Sequence, residues 1–284
     1  MYTDPTMKHD ALLMFDVVDS NPNGDPDNAG KPRTDLDTGQ GLVSDVSLKR
    51  KVRDTVQFQV EQGILRRERN EIFIRRGVSL NELEATEAKS VPTNQRQEYV
   101  ALLKEKFFDV RMFGAVLTGS GGGGTAANRV TGPVTFGIAR SVDPVLPSEF
   151  TITRVASTKE KDRDNASQMG SKTVIPYGLY AARIHYQPTR DNQVTADDLR
   201  VFWDAVIRMF ELTRSAARPD IQVRGLFVFT HDNPLGNAPA HRLLELVGVS
   251  KNPGVETPTA YSDYTVTEPA ADNLPTGVTY TRLV

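Results

Sequence analysis

Residues Ala11 to Asp19, ALLMFDVVD, run through apolar and β-branched side chains and stop at Ser20-Asn21-Pro22-Asn23-Gly24-Asp25-Pro26. An apolar run of this length, bounded by Asn, Pro and Gly, reads as a buried strand ending in an ordered turn. Three more stretches have strand character: Gly132 to Val142 (GPVTFGIARSV), Tyr177 to Tyr186 (YGLYAARIHY) and Gln222 to Thr230 (QVRGLFVFT). After the first strand the pattern turns helical from Ser44 to Gln62. Ser44 or Ser47 can cap this helix, Leu48, Val52 and Val56 share one face, and Gly63 supplies the stop. Thr195 to Thr213 is the clearest helix. Thr195 and Asp198 match a capping box, and Leu199, Phe202, Trp203, Val206, Ile207 and Phe210 form one apolar stripe. The order strand, helix, strand, insertion, strand, helix, strand predicts an α+β chain with a ferredoxin-like sheet. In that arrangement two helices cover one face of an antiparallel sheet.

The connections are long, and they account for much of the 284 residues without a second conventional domain. The loop after the first strand continues to about Gly41, too long for a plain connector. Residues 64–98 read as an insertion, Asn94 to Phe107 as a helix, and Arg111 to Leu117 as a short strand entering a glycine run. Pro144 to Lys172 is polar, with the charge run Lys159 to Asp164. From Asn233 onward the chain is expected to be irregular around one short helix, Ala240 to Val247.

Composition removes several function classes. Lys plus Arg number 34 against 36 Asp plus Glu, a net charge of −2, with 38% hydrophobic residues, as in a globular protein with a real core. There is no cysteine, which excludes disulfides, zinc knuckles, iron–sulfur ligation and thiol catalysis. No apolar run approaches a membrane span, and the first ten residues lack the apolar segment of a signal peptide, so a cytoplasmic protein is expected. The four histidines, His9, His185, His231 and His241, are scattered and form no zinc-protease pair.

The sequence motifs are weak one by one. Asp19-Ser20-Asn21-Pro22-Asn23-Gly24 begins like a calcium loop, but the twelfth position is Gly30, where a bidentate Glu is needed. Gly119 to Gly124 fits G-x-G-x-x-G, yet Gly132-Pro133 follows too soon for a phosphate-binding helix. Arg224-Gly225-Leu226-Phe227-Val228-Phe229 is close to the RNA-recognition strand motif but departs from it at Leu226 and Phe227, and alternation favours core positions for Phe227 and Phe229. The strongest local signal is charge. Residues 44–80 hold nine Lys plus Arg against five Asp plus Glu, a local +4 that suits a polyphosphate track. Within it Lys49, Arg50 and Arg53 are expected on the exposed side of the first helix. The aspartates Asp25, Asp27, Asp35, Asp37 and Asp45 leave open a metal-dependent ribonuclease acting through loop carboxylates.

Four segments together resemble one known family. They are Phe15 to Pro26 (FDVVDSNPNGDP), Ser44 to Asp54 (SDVSLKRKVRD), Asp109 to Gly114 (DVRMFG) and Gly132 to Gly137 (GPVTFG). The chain resembles the backbone subunit of a type I CRISPR surveillance complex, or Cascade, of the RAMP superfamily, and is most like the type I-C version. The likeness runs from about Leu12 to Phe229. It implies a non-enzymatic protein that polymerises head-to-tail along a CRISPR RNA and presents it to a target DNA strand. Other Cascade subunits and a recruited helicase-nuclease are implied partners; no cofactor or metal is implied. The resemblance further implies a single RNA-recognition-motif-like palm domain with fingers at about 64–92 and a thumb at about 150–176, leaving 233–284 as the irregular C-terminal segment. It assigns guide contacts to Ser20, Asn21, Asn23, Lys49, Arg50, Arg53, Arg111 and Gly121. In the thumb it assigns them to Lys159, Arg163 and Lys172, with Met169 as an apolar wedge beside an unstacked base. In related type III subunits a loop aspartate cuts RNA, and Asp35 or Asp37 would be its counterpart. The closer likeness to type I argues against cleavage. A nearly neutral coat protein is consistent with head-to-tail contacts in which acidic surfaces meet basic ones.

Overall fold

The computed structural model describes residues 1–91, 95–117, 129–154, 168–190 and 193–284. Strand β1 (His9–Ser20) is followed by a long loop, β2 (Gln40–Val43) and helix α1 (Asp45–Glu61). An insertion then forms α2 (Arg67–Asn70), α3 (Leu80–Glu87), α4 (Arg96–Lys106), α5 (Phe108–Phe113), β3 (Gly114–Val116) and β4 (Arg129–Thr131). Strands β5 (Val134–Phe136), β6 (Ala139–Pro144), β7 (Ser148–Arg154) and β8 (Gln168–Tyr186) precede α6 (Ala196–Arg208) and β9 (Asp220–His231). The C-terminal part holds α7 (Ala240–Leu244), β10 (Gly248–Lys251), β11 (Tyr264–Thr267) and β12 (Val278–Arg282).

Strands of the main sheet hydrogen-bond in the order β12-β9-β1-β8-β6-β2, with β5 and β7 also on β8, and all these pairs are antiparallel. β1 lies at the centre, so Leu13 faces Ala182 on β8 and Leu226 on β9. Its unbroken apolar run follows from burial on both faces. Ala11, Leu13, Phe15 and Val17 join Leu48, Val52 and Val56 of α1 and Leu199, Phe202 and Val206 of α6 in one core. Burying each such side chain contributes about 1.5–3 kcal/mol relative to exposure. Ser44 caps α1 by accepting from the Ser47 N–H, and the Thr195–Asp198 capping box starts α6.

On the opposite face Leu12, Met14, Phe227 and Phe229 lie beneath Leu243, Leu244, Val247 and Tyr264. The segment after Asn233 is therefore a lid of defined structure, carrying α7 and the β10–β11 pair and extending the sheet edge through β12. The reason is the second apolar face, which needs cover as much as the first. Phe227 and Phe229 are fully buried, so neither is available to stack on a base. Arg224 of the same strand pairs with Asp16 at 2.9 Å.

Two further differences from the sequence reading concern length. Residues 108–113 continue as helix where a strand was expected from Arg111, because the Arg111 guanidinium hydrogen-bonds the Lys104 and Glu105 carbonyls at the end of α4. β8 begins at Gln168, well before Tyr177, and its first seven residues pair with β7, from Ser148 opposite Val174 to Arg154 opposite Gln168. Phe73, Tyr99, Leu103, Phe107 and Val130 give the insertion between α1 and β5 a small core of its own. Among the described residues no helix is long and apolar enough to cross a membrane.

Candidate nucleic-acid interface

The inward face of α1 is fixed by Leu48, Val52 and Val56, so the basic run between them must emerge on its flanks. There α1 and the turn after α6 border a cleft of about 560 Å³. Arg50, Lys51, Arg76, Arg214 and Arg218 line it against two carboxylates, Asp54 and Glu61, a local charge of +3. Arg50 pairs with Asp54 at 2.7 Å, and the Lys51 ammonium reaches the Thr213 carbonyl at 3.3 Å. The enclosed Nε–H groups of Arg50 and Arg218 meet no acceptor among the described residues.

Lys51 is 8% exposed. Burial, reinforced by the positive charges of Arg218, Arg76 and Arg50 and opposed by Asp54, lowers its pKa to about 8. Like charges crowded together in a folded chain raise its free energy unless an anion joins them. Phe58 and Leu212, both partly exposed, add apolar surface to the same cleft. Cations beside apolar surface form a site for a phosphate chain carrying bases.

Other cations of the basic stretch have a different environment. Arg53, expected exposed, is buried: its Nε donates to Asp109 Oδ2 at 2.8 Å, and its guanidinium lies over the Phe113 ring. Asp109 also accepts from the backbone N–H groups of Phe73 and Ile74 at 2.7 and 3.0 Å. Arg111 is completely buried, with Nη2 2.6 Å from Asp198 Oδ1, and Arg69 reaches the other oxygen of that carboxylate at 2.8 Å. Burial pushes Asp198 up, but the charge and hydrogen bond of Arg111, with that of Arg69, hold its carboxyl below the usual range. Arg53 and Arg111 are thus corrected from guide contacts to internal ties that fasten the insertion to α1 and α6.

A family model described as CRISPR-associated protein Cas7 matches residues 7–268. The chain belongs to the Cas7 family. A relative in Haloferax volcanii, described as CRISPR-associated protein Cas7, is 28% identical over 195 residues, 61% of this chain. The match takes in 54% of that relative, so the chain spans about half the length of its curated counterpart. Two solved chains, described as CRISPR RNA-guided surveillance complexes (one pre-nicking), align over 78% of this chain and 75% and 68% of theirs. Their identities are 18% and 16%, and their TM-scores 0.47 and 0.46. A third, a type III-B Cmr-beta complex bound to cognate target RNA, aligns over 78% of this chain and 61% of its own at 12% identity and TM-score 0.42.

In this Cas7-family chain the polar residues after β1 chiefly hold their own loop. Ser20 is buried and exchanges hydrogen bonds with the backbone of Asp220. Asn21 donates to the Gly30 carbonyl at 2.7 Å, and Asn23 accepts from the N–H of Ser44, the cap of α1. Lys49 is half-buried and paired with Asp45 at 3.0 Å. Lys172 sits on β8 opposite Phe150. Gly121, Lys159 and Arg163 lie outside the described residues. Met169 is placed only by its backbone, opposite Thr153, and the wedge role of its side chain lies outside the description.

The aspartates of the ribonuclease reading have other uses. Asp35 pairs with Arg140 at 2.7 Å and accepts from the N–H groups of Asp37 and Thr38, while Asp25 pairs with Arg33. Among the described residues no three His, Asp or Glu side chains converge as a metal site would require. Sequence reasoning missed Arg214 and Arg218. They lie more than 160 positions beyond Arg50 in a turn without a motif, and only the docking of α6 on α1 brings them to the cleft.

Proposed function

We propose that the protein is a guide-RNA-binding backbone subunit of a type I Cascade complex, of the I-C type, with a ferredoxin-like palm. The palm reading is supported by the strand order β9-β1-β8-β6 with α1 and α6 as the two crossover helices. The RNA reading is carried by one observation, the +3 cleft between α1 and the turn after α6. Its cations neutralise phosphates without reading bases, which fits a subunit that leaves sequence recognition to the guide's own pairing. The β7–β8 hairpin corresponds to the thumb and presents exposed Phe150 and Ile152. These suit contact with the next copy or with unstacked bases. Residues 64–92 correspond to fingers. Copies assemble head-to-tail on one RNA, pair it with a target DNA strand, and work beside other Cascade subunits and a recruited helicase-nuclease in the cytoplasm of a prokaryote.

Natively expressed protein is expected to purify as an oligomeric ladder carrying RNA of uniform length. Replacing Arg76 and Arg218 together by Glu strips that RNA while the thermal unfolding midpoint stays unchanged. Protein that emerges nucleotide-free and solitary, and ignores added transcript, defeats the reading.

A further inference from the structure

A second polar site lies at the other end of β1, where two of the four histidines meet one buried carboxylate. Asp10 is fully buried; His185 Nδ1 lies 2.5 Å from its Oδ1, His231 Nε2 3.0 Å from Oδ2, and the Lys8 ammonium 3.3 Å from Oδ2. His231 Nδ1 accepts from the Asn237 N–H at 2.8 Å, so its proton is on Nε2 and is donated to Asp10. Burial opposes the charge on Asp10, yet the hydrogen bonds from His185 and His231 and the charge of Lys8 hold its carboxyl far below the usual range. The carboxylate thus orients both imidazoles.

His231 is fully enclosed, with both ring nitrogens engaged. His185 is not. Asp10 takes its Nδ1, and the partly exposed ring lines a cleft of about 270 Å³ with Lys8, Thr135, Gln187 and Arg190. Arg190 Nη1 donates to Thr135 Oγ1 at 3.2 Å, and Gln187 is tied to the Pro234 carbonyl at 2.9 Å. Gly236, at φ 93°, closes the loop onto Lys8; a Cβ there would lie 3.0 Å from Lys8 Cδ and 3.4 Å from His231 Cε1. Among the described lining residues the two full cations outnumber the single carboxylate, which is already saturated with donors. What the cleft lacks is an anion.

We propose that this cleft binds a phosphate-class anion, with Lys8 and Arg190 as its donors and the His185 ring beside them. An ammonium next to a guanidinium with its fixed fork of N–H groups combines charge with directional donation, the mixture that selects phosphate oxygens over chloride. Among the described residues none lines both this cleft and the one beside α1. Variants at one therefore leave the other intact, and failure of this proposal is distinguishable from failure of the RNA reading.

Titrating inorganic phosphate into the full-length protein at constant ionic strength, with imidazole nitrogen resonances observed by NMR, tests it. The His185 signals are expected to shift saturably while those of His241 do not. Arg190→Met and Lys8→Met are each expected to weaken the phosphate affinity about tenfold, Arg190→Met with an unchanged unfolding midpoint, and Arg218→Glu is expected to leave that affinity unchanged. Two competitors then identify the source, each of three outcomes upholding the site. Displacement by RNA with blocked ends assigns an internal phosphodiester, displacement only by a 5′-phosphorylated oligonucleotide assigns a terminal phosphate, and displacement by neither assigns free phosphate. A shift that never saturates, that chloride reproduces, or that survives both Lys8→Met and Arg190→Met overturns the proposal.

Discussion

Arg50 and Arg53 are three positions apart on one helix, drawn from the same basic run, and their surroundings could hardly differ more. Arg53 is buried on Asp109, a carboxylate that also gathers two backbone N–H groups. Arg50 stands at a cleft wall beside Lys51, Arg76, Arg214 and Arg218, and its pairing with Asp54 leaves its Nε–H without an acceptor among the described residues. Net charge along the sequence does not separate the two; the number of carboxylates that the fold delivers to each cation does. Arg53, enclosed on its carboxylate, is part of the structure, whereas the cations crowded at the α1 cleft have the charge surplus that an anionic ligand would relieve.

The sharpest way to break that distinction is to remove the carboxylates of the ties. Asp198→Ala leaves the Arg111 charge enclosed without this carboxylate and is expected to cost roughly 3–5 kcal/mol in urea unfolding, as truncating one partner of a buried pair does. A loss under about 1 kcal/mol would mean that Arg111 finds another partner and is not a tie. Next in size is the cleft. Arg218→Glu combined with Arg76→Glu should abolish RNA binding at moderate salt, and Arg218→Ala alone should reduce the slope of log affinity against log salt by about 0.7, the value for one single-strand phosphate contact. An unchanged slope would place the phosphate track elsewhere.

A smaller effect comes from Lys51, whose depressed pKa of about 8 makes its charge conditional. A phosphate at the cleft favours the protonated amine, so below pH 8 the charge is already in place, and above it binding must take up a proton. RNA affinity should therefore fall as pH rises from 7 to 9, by up to about tenfold, and Lys51→Arg should flatten that profile in fluorescence anisotropy. A wild-type profile already flat over this range removes Lys51 from the contact. The smallest expected change is at Lys49, where the surface pair with Asp45 is worth less than about 1 kcal/mol; Lys49→Ala should leave unfolding within that margin.

Much of the fold was legible along the chain. The strands from Ala11, Tyr177 and Gln222 and both principal helices lie where apolar periodicity and capping residues place them, because these signals are local. Of the C-terminal lid only the short helix from Ala240 was legible. The lid's contacts with Leu12, Met14, Phe227 and Phe229 join parts of the chain more than 200 residues apart in sequence for β1, and its strands are too short for periodicity to register. The candidate site was half legible. Arg50 and Lys51 belong to a visible basic run, while Arg214 and Arg218 belong to nothing that a motif describes.

By itself the sequence determined the strand and helix skeleton, the absence of thiol chemistry and the family resemblance, since all of these are written in residue type and spacing. Tertiary structure alone decided which cations are spent on Asp109 and Asp198 and which converge on an open cleft, and that His185, His231 and Asp10 form one cluster. The physical reason is that the electrostatic role of a side chain depends on the charges and solvent within a few ångströms of it, and such neighbours come from distant segments brought together only by folding.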